Sequence, residues 1–211
     1  MANIDYRDNA SVVVLAAGMS SRMGKQNKLH LKLNGQALLR YSVQRFLEME
    51  FSDVVVVLGY EGEDTAELIG DLNVTTVLNP SYADGQITSV RCGLAGVKRD
   101  SSATFIALGD QPAVTKDSIE VMLCAFKNRG KAESVVPYFD GKRGNPVLIS
   151  ANARKQILAG KGNYGCRKFM DRNPDLVCRI NVQDAGVITD LDTPQEYHDY
   201  CSRLMQGATS T

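Results

Sequence analysis

Residues 11–33 read SVVVLAAGMSSRMGKQNKLHLKL, an apolar run that breaks into a loop carrying Gly18 and Gly24 together with the cations Arg22, Lys25 and Lys28. A glycine loop at the end of a buried strand lets backbone N–H groups approach a phosphate closely, while neighbouring cations offset its charge. The pattern predicts a grip on a nucleoside triphosphate. Two commoner glycine loops do not fit. A P-loop needs four residues between its glycines and then Lys followed by Ser or Thr; here five residues separate Gly18 from Gly24, and Gln26 follows Lys25. A dinucleotide fingerprint needs three closely spaced glycines opening a helix, and only Gly18 lies near the strand end.

The chain has 211 residues, 44% of them hydrophobic, which is enough for one sizeable core and predicts one compact unit over residues 1–211. Lys plus Arg and Asp plus Glu number 24 each, so no global field draws the protein to nucleic acid or to an anionic membrane, and any phosphate site must be a local cluster. The apolar runs are too short to span a bilayer, and residues 1–10 lack the charged and apolar regions of a signal peptide. A cytoplasmic protein is expected. The five cysteines, at 92, 124, 166, 178 and 201, form no CxxC pair, which argues against zinc or an iron–sulfur cluster and for reduced thiols. Cys166 lies beside Gly165 and Arg167; packing is the competing reading of its position.

Apolar, β-rich runs recur at 12–15, 54–58, 74–78, 104–108 and 134–137. Helical spacing at 37–49, 61–69 and 118–127 falls between and after them. Strands alternating with helices imply parallel pairing by right-handed crossovers, so a doubly wound α/β sheet is expected in the first half, with its ligand crevice at the strand carboxyl ends. Past residue 137 the texture changes. FDGKRGNPVLIS reads as a hairpin turning at Asp140-Gly141 with 147–149 as the return strand. Short helices at 151–158 and 165–171, a strand near 176–180 and a closing helix at 194–205, capped by Thr193 with Pro194 at its first position, complete the reading, and the tail from Gly207 is expected to fray.

Chemistry concentrates in four places. Asp110, in LGDQP directly after the fourth strand, is placed to hold Mg²⁺ on a substrate phosphate, although capping the next helix is an equal reading of it in isolation. In DLDTP, at most one of Asp190 and Asp192 is expected to face the cleft, and Asp192 is taken as the second metal ligand, with a place at the start of the last helix an equal reading of it. The loop from Asn79 to Arg91 brings Gly85 and the hydroxyls of Thr88 and Ser89 to a helix start, suited to a base or ribose or to plain N-capping, with Arg91 read as a surface cation. Gly144-Asn145-Pro146 and the run from Gly160 to Lys168 supply flexible backbone and cations for an anionic second substrate, or a plain lysine-rich turn.

These segments, LAAGMSSRMGKQNKL at 15–29, NPSYADGQITSVRCGL at 79–94, GDQP at 109–112, GNPVL at 144–148, GNYGCR at 162–167 and DLDTP at 190–194, span nearly the whole chain. Together they resemble the nucleotidyltransferases of molybdenum cofactor maturation, most closely the molybdopterin cytidylyltransferases. The resemblance implies a nucleotide-diphospho-sugar-transferase-like α/β fold, Rossmann-like and of GT-A type, with a mostly parallel sheet covered by helices on both faces. It implies a nucleotide-binding half over 1–132 and an acceptor-binding half over 133–211. The implied reaction couples CTP to the terminal phosphate of molybdopterin or its molybdenum-loaded form and releases pyrophosphate, so the protein needs only to position reactants and offset charge. By the family pattern Arg22, Lys28 and Asp110 are catalytic; Leu15, Ala16, Ala17, Gly18, Asn79, Ser89 and Gly109 join Arg22 and Lys28 around the nucleotide; Asn145, Gly165 and Arg167 meet the acceptor; and Asp110 and Asp192 hold Mg²⁺ or Mn²⁺. The chain departs from the family with Asn163 where Asp is common and Cys166 where Ala is common. Ala17 matches the cytidylyl branch, where guanylyl relatives more often carry glycine. A soluble monomer that hands its product to a molybdoenzyme or its chaperone is expected. The alternatives are the same fold using GTP or another phosphorylated acceptor, and a catalytically silent nucleotide-binding module, against which the retention of Arg22, Lys28 and Asp110 argues.

Overall fold

The structure, a computed structural model, describes residues 9–24, 26–51, 53–160 and 164–208. The expectations for residues 1–8, for Lys25, for 161–163 and for 209–211 lie outside them. The glycine loop follows β1 (Ala10–Ala16), whose Val12, Val13 and Val14 are all 0% exposed. Such a run belongs in the middle of a sheet covered on both faces. The strands that join it are β4 (Val54–Leu58), β5 (Thr75–Leu78), β6 (Ala103–Leu108), β7 (Ser134–Phe139), β9 (Val147–Ser150) and β10 (Val177–Asn181), in spatial order β10-β7-β9-β6-β1-β4-β5. Pairing is parallel from β6 through β1 and β4 to β5, and again between β7 and β10; β9 runs antiparallel to both β6 and β7. Two short strands, β2 (Lys32–Leu33) and β3 (Gln36–Ala37), form a separate antiparallel ribbon.

The helices divide between the faces as the strand alternation dictates. Helices α1 (Leu38–Glu48) and α4 (Lys116–Lys127) bury Val43, Phe46, Met122 and Phe126 against the face that carries Val12 and Val14, which Ile69, just past α2 (Gly62–Glu67), also covers. On the other face α3 (Gln86–Gly96), α5 (Ala151–Ala159) and α6 (Cys166–Arg172) bury Leu94, Ile157 and Phe169 against Val13 and Leu15. The chain leaves β1 for β4 and β5 on one side and returns to β6 on the other. The strand order therefore reverses between β1 and β6, and open parallel sheets bind ligands at the carboxyl ends of the strands flanking such a point.

Two readings of the second half need correction. The turn at Asp140-Gly141 forms, with φ of 49° and 71°, but its return strand is β8 (Lys142–Arg143), which pairs with Tyr138 and Phe139. Val147–Ser150 is instead a separate strand, buried along its length and inserted between β6 and β7. An unbroken apolar run with no polar side is stable only where both faces are covered, which the end of a hairpin does not offer. The closing helix α7 (Pro194–Ala208) continues through Gly207, further than expected. It packs Tyr197, Tyr200 and Leu204 over Leu33 and Leu38, and the Tyr197 hydroxyl donates to the Lys32 carbonyl at 2.5 Å.

Candidate active site

Beyond β1 the backbone turns through Ser20 in the left-handed region, φ 52°, and Gly24, φ 72°, around a 3-10 turn over Ser21–Met23. Buried Asn27 ties the loop down: its Oδ1 accepts from the Leu29 N–H at 3.1 Å and its Nδ2 donates to Glu61 at 3.2 Å. The Lys28 N–H donates to Ser20 Oγ at 3.2 Å, and Leu29 is buried in the core. Lys28 is thus held at its backbone and aimed across the switch point. Its ammonium pairs with Asp110, just past the end of β6, and at 2.6 Å with Asp192, whose other oxygen takes the Arg22 guanidinium at 2.7 Å. Side-chain exposures of 14, 13 and 17% for Lys28, Asp110 and Asp192 keep the cluster largely out of water. Burial by itself would lower the Lys28 pKa, but the charge of Asp110 and the hydrogen bonds to both carboxylates outweigh it, holding the ammonium above its ordinary value and charged.

Asp192 is held by the start of α7. Oε2 of Glu196 accepts from the Asp192 N–H at 3.0 Å, the Thr193 N–H at 2.8 Å and the Thr193 hydroxyl at 2.9 Å, while the Glu196 N–H donates back to Thr193 Oγ1 at 3.2 Å. This is a capping box, and the spacing Thr193-x-x-Glu196 announces it in the sequence. Glu196→Ala is expected to cost about 1 kcal/mol in urea unfolding, the usual worth of a helix cap; an unchanged midpoint would deny the box a role.

Around the cluster lies a cavity of about 350 Å³, lined by Leu15, Ala16, Ala17 and Gly18 from the glycine loop, by Arg22 and Lys28, by Tyr82, Gln86 and Ser89, and by Asp110, Asp190 and Asp192. A second cavity of about 640 Å³ shares Leu15, Gln86 and Leu108 with it and extends to Arg143, Asn145, Gly165, Arg167 and Lys168. The two adjoin at the carboxyl ends of β1 and β6. Three of the expected nucleotide contacts sit differently from the rest. Asn79 is 3% exposed and lines neither cavity; its Nδ2 donates to Thr88 and Ser89, fixing the approach to α3. Gly109 faces inward, where a Cβ would lie 3.0 Å from Leu39. Ala17 is almost fully buried, and Gly59 opposite it has no room for a Cβ, which would fall 2.7 Å from the Ala17 methyl.

Other expectations change. Asp190 and Asp192 both reach the cavity, where only one was expected; side chains two residues apart on extended backbone point to the same side, so their spacing lets them share it. Gln111 donates to Asp190 Oδ1 at 2.5 Å. Burial first, and then the charge of Asp110, push the Asp190 carboxyl above its ordinary pKa. Thr88 and Ser89 lie inside α3 rather than capping it; Thr88 donates to the Ser81 and Gly85 carbonyls. Arg91 is half-buried and not a surface cation: its guanidinium donates to the Ile157, Leu158 and Gly160 carbonyls and closes the end of α5. Cys166 is buried at the start of α6, and desolvation pushes its thiol up to about 12, so it is neutral.

Asp110 and Asp192 converge on one cation position, where the Lys28 ammonium stands. Among the described residues no three His, Cys, Asp or Glu side chains gather as a metal cluster. Two hard carboxylates that leave the remaining positions to water and substrate phosphate are the donor set magnesium usually takes, so the residues fit that ion.

The family model of the MobA-like NTP transferase domain matches residues 12–177. The chain belongs to this family. It is a nucleotidyltransferase by that membership, and the cleft at the strand ends is where such a fold works. A molybdenum cofactor cytidylyltransferase from Escherichia coli K12 is 28% identical over 88% of this chain and 92% of its own length. A nicotine blue oxidoreductase from Paenarthrobacter nicotinovorans is 25% identical over 88% of this chain and 93% of its own. The solved structure of a nucleotidyl transferase from Methanothermobacter superposes with a TM-score of 0.78 at 20% identity, covering 94% of this chain and 98% of that one. Among the described residues no helix is long and apolar enough to cross a membrane.

Proposed function

We propose that the chain transfers CMP from CTP to the terminal phosphate of molybdopterin or of its molybdenum-loaded form, releasing pyrophosphate. The observation that carries the reading is a cluster in which Lys28 pairs with Asp110 and Asp192 and Arg22 with Asp192, in a cavity that shares Leu15, Gln86 and Leu108 with a second. Similarity to the E. coli cytidylyltransferase over most of both chains supports the choice of substrates.

In this mechanism the triphosphate lies along the glycine loop from Leu15 to Gly18, and Lys28 and Arg22 turn from the carboxylates to its β- and γ-phosphates. Asp110 and Asp192 would hold Mg²⁺, or Mn²⁺ in its place, which when bound neutralises phosphate charge. The acceptor phosphate, presented from the half spanning 133–211, attacks the α-phosphorus in line. A new P–O bond forms, the bond between α- and β-phosphates breaks, and the electron pair leaves with pyrophosphate, whose charge Lys28 and Arg22 offset. No side chain becomes covalently attached, so the rate comes from positioning and from charge placed in advance. Ser89 and the 82–86 loop flank the space left for base and ribose.

The test is pyrophosphate release with purified molybdopterin and Mg²⁺. Release with CTP, lost in Lys28→Ala and at least about tenfold slower with GTP, is expected. Preference for GTP would overturn the base, and silence with both nucleotides would overturn the reaction.

A further inference from the structure

The larger cavity is built with two unlike sides. Ile87 and Val90 of α3, Ile106 and Leu108 of β6 and Val147 of β9 make it apolar. Arg143 enters from β8, and Arg167 and Lys168 from the first turn of α6. One carboxylate, Asp171, lies on the same lining, which leaves cations in excess. Arg143, Arg167 and Lys168 are exposed, and among the described residues no ion pair engages them; the Arg143 guanidinium meets the Met170 thioether at 3.4 Å, a weak acceptor that leaves its charge to solvent or to an arriving anion. The neighbouring Cys166 is neutral and does not repel an anion.

The position of these cations sets what they serve. An acceptor phosphate that attacks a nucleotide held by Lys28 and Arg22 must lie where the cavities meet, at Leu15, Gln86 and Leu108. Arg143, Arg167 and Lys168 line only the far cavity. We propose that Arg143 and Lys168, with Arg167, form a distal anion subsite, so that the acceptor carries two anionic groups: a flat, ring-sized body with its reacting phosphate where the cavities meet and further anionic charge beyond it. The proposal rests on the nucleotidyl-transfer reading for the place of the first phosphate, and it assigns Arg143 and Lys168 a role in acceptor selection. A short polyol phosphate would leave both the apolar side and the distal cations unused.

The test uses 1-naphthyl phosphate, an aromatic body with one anionic end, titrated calorimetrically against the full chain with and without saturating CTP and Mg²⁺. Binding is expected in both conditions, weaker by about tenfold in Arg143→Gln/Lys168→Gln, the loss of charge-assisted hydrogen bonds, with CTP affinity of the variant unchanged. Displacement of the probe by CTP, equal affinity in the variant, or no binding would each overturn the subsite. In turnover, the same double variant is expected to raise KM for molybdopterin about tenfold without moving KM for CTP. If molybdopterin gives no turnover while the probe behaves as expected, the acceptor identity falls and the distal subsite stands.

Discussion

Replacing Lys28 with methionine is expected to move metal and nucleotide affinity in opposite directions and to reduce turnover by about 10²–10³-fold, the usual cost of removing one preorganised charge partner from a reacting phosphate. Lys28 pairs with both Asp110 and Asp192, each under 20% exposed, so the ammonium occupies the position a divalent cation would take. Methionine keeps much of the length and removes the charge. Two carboxylates then face one another with Arg22 as their remaining cation, and Mn²⁺ added alone should bind tighter by about tenfold, an effect in the range of a single close charge at a partly exposed site. CTP added without metal should bind weaker by about a hundredfold, because the phosphates lose a cation and meet two uncompensated anions. Mn²⁺ binding followed by electron paramagnetic resonance and CTP binding by calorimetry separate the two effects. Equal Mn²⁺ affinity in wild type and variant would mean that lysine and metal do not share the site. On the proposed reading, metal and nucleotide are expected to assist one another in the wild type: nucleotide phosphates would draw Lys28 off the carboxylates that would hold metal, and metal would relieve the carboxylates' repulsion of the phosphates. By linkage the assistance must be equal in both directions.

How far the sequence discloses this arrangement depends on the range of the signal. Strand and helix positions were legible because burial on one or two faces leaves a periodic trace, as in Val54–Leu58 and in the α4 spacing of Ile119, Met122, Leu123 and Phe126. The loop cations and Asp110 stand out in the sequence only in combination, since capping is an equal reading of Asp110 alone, and the structure brings them together at one cluster. What stayed hidden is pairing at long separation. Nothing local to Asn27 tells that its amide bridges to Glu61, and nothing local to Asp184 tells that it accepts from Thr115 and Ser118, tying the last loop to the start of α4. Asp190 joins Asp192 at the cavity because side chains two residues apart on extended backbone share a side, and Arg91 is not the surface cation its charge suggests, since three carbonyls at the end of α5 claim it. Glu196 carried a readable signal, the capping-box spacing, whose consequence for Asp192 appears only once α7 is seen to begin beside the cleft.

Gly93→Ala is expected to destabilise the protein although alanine is the better helix former. In an exposed helix the exchange would stabilise by about 1 kcal/mol. Here α3 lies so close to the sheet that a Cβ at position 93 would stand 2.3 Å from Val13 Cγ1 and 2.7 Å from Val57 Cγ2. Both valines are 0% exposed. Neither can turn aside, because a β-branched side chain packed on all sides has essentially one rotamer. The helix must lift from β1 and β4, and overpacking of this kind costs typically 1–3 kcal/mol or more. The net loss expected is about 2 kcal/mol, a fall in Tm of about 4–8 °C for a domain of this size. Because α3 also carries Gln86 and Ser89 on the cavity wall, CTP affinity should fall with it, even well below the melting temperature. The double variant Val13→Ala/Gly93→Ala distinguishes this cause from any other: removing the facing methyls makes room for the new one, so Gly93→Ala should cost less in the Val13→Ala background than alone. Additive losses across that cycle, or a higher Tm for Gly93→Ala alone, would show that α3 does not depend on this close approach to hold the site against the sheet.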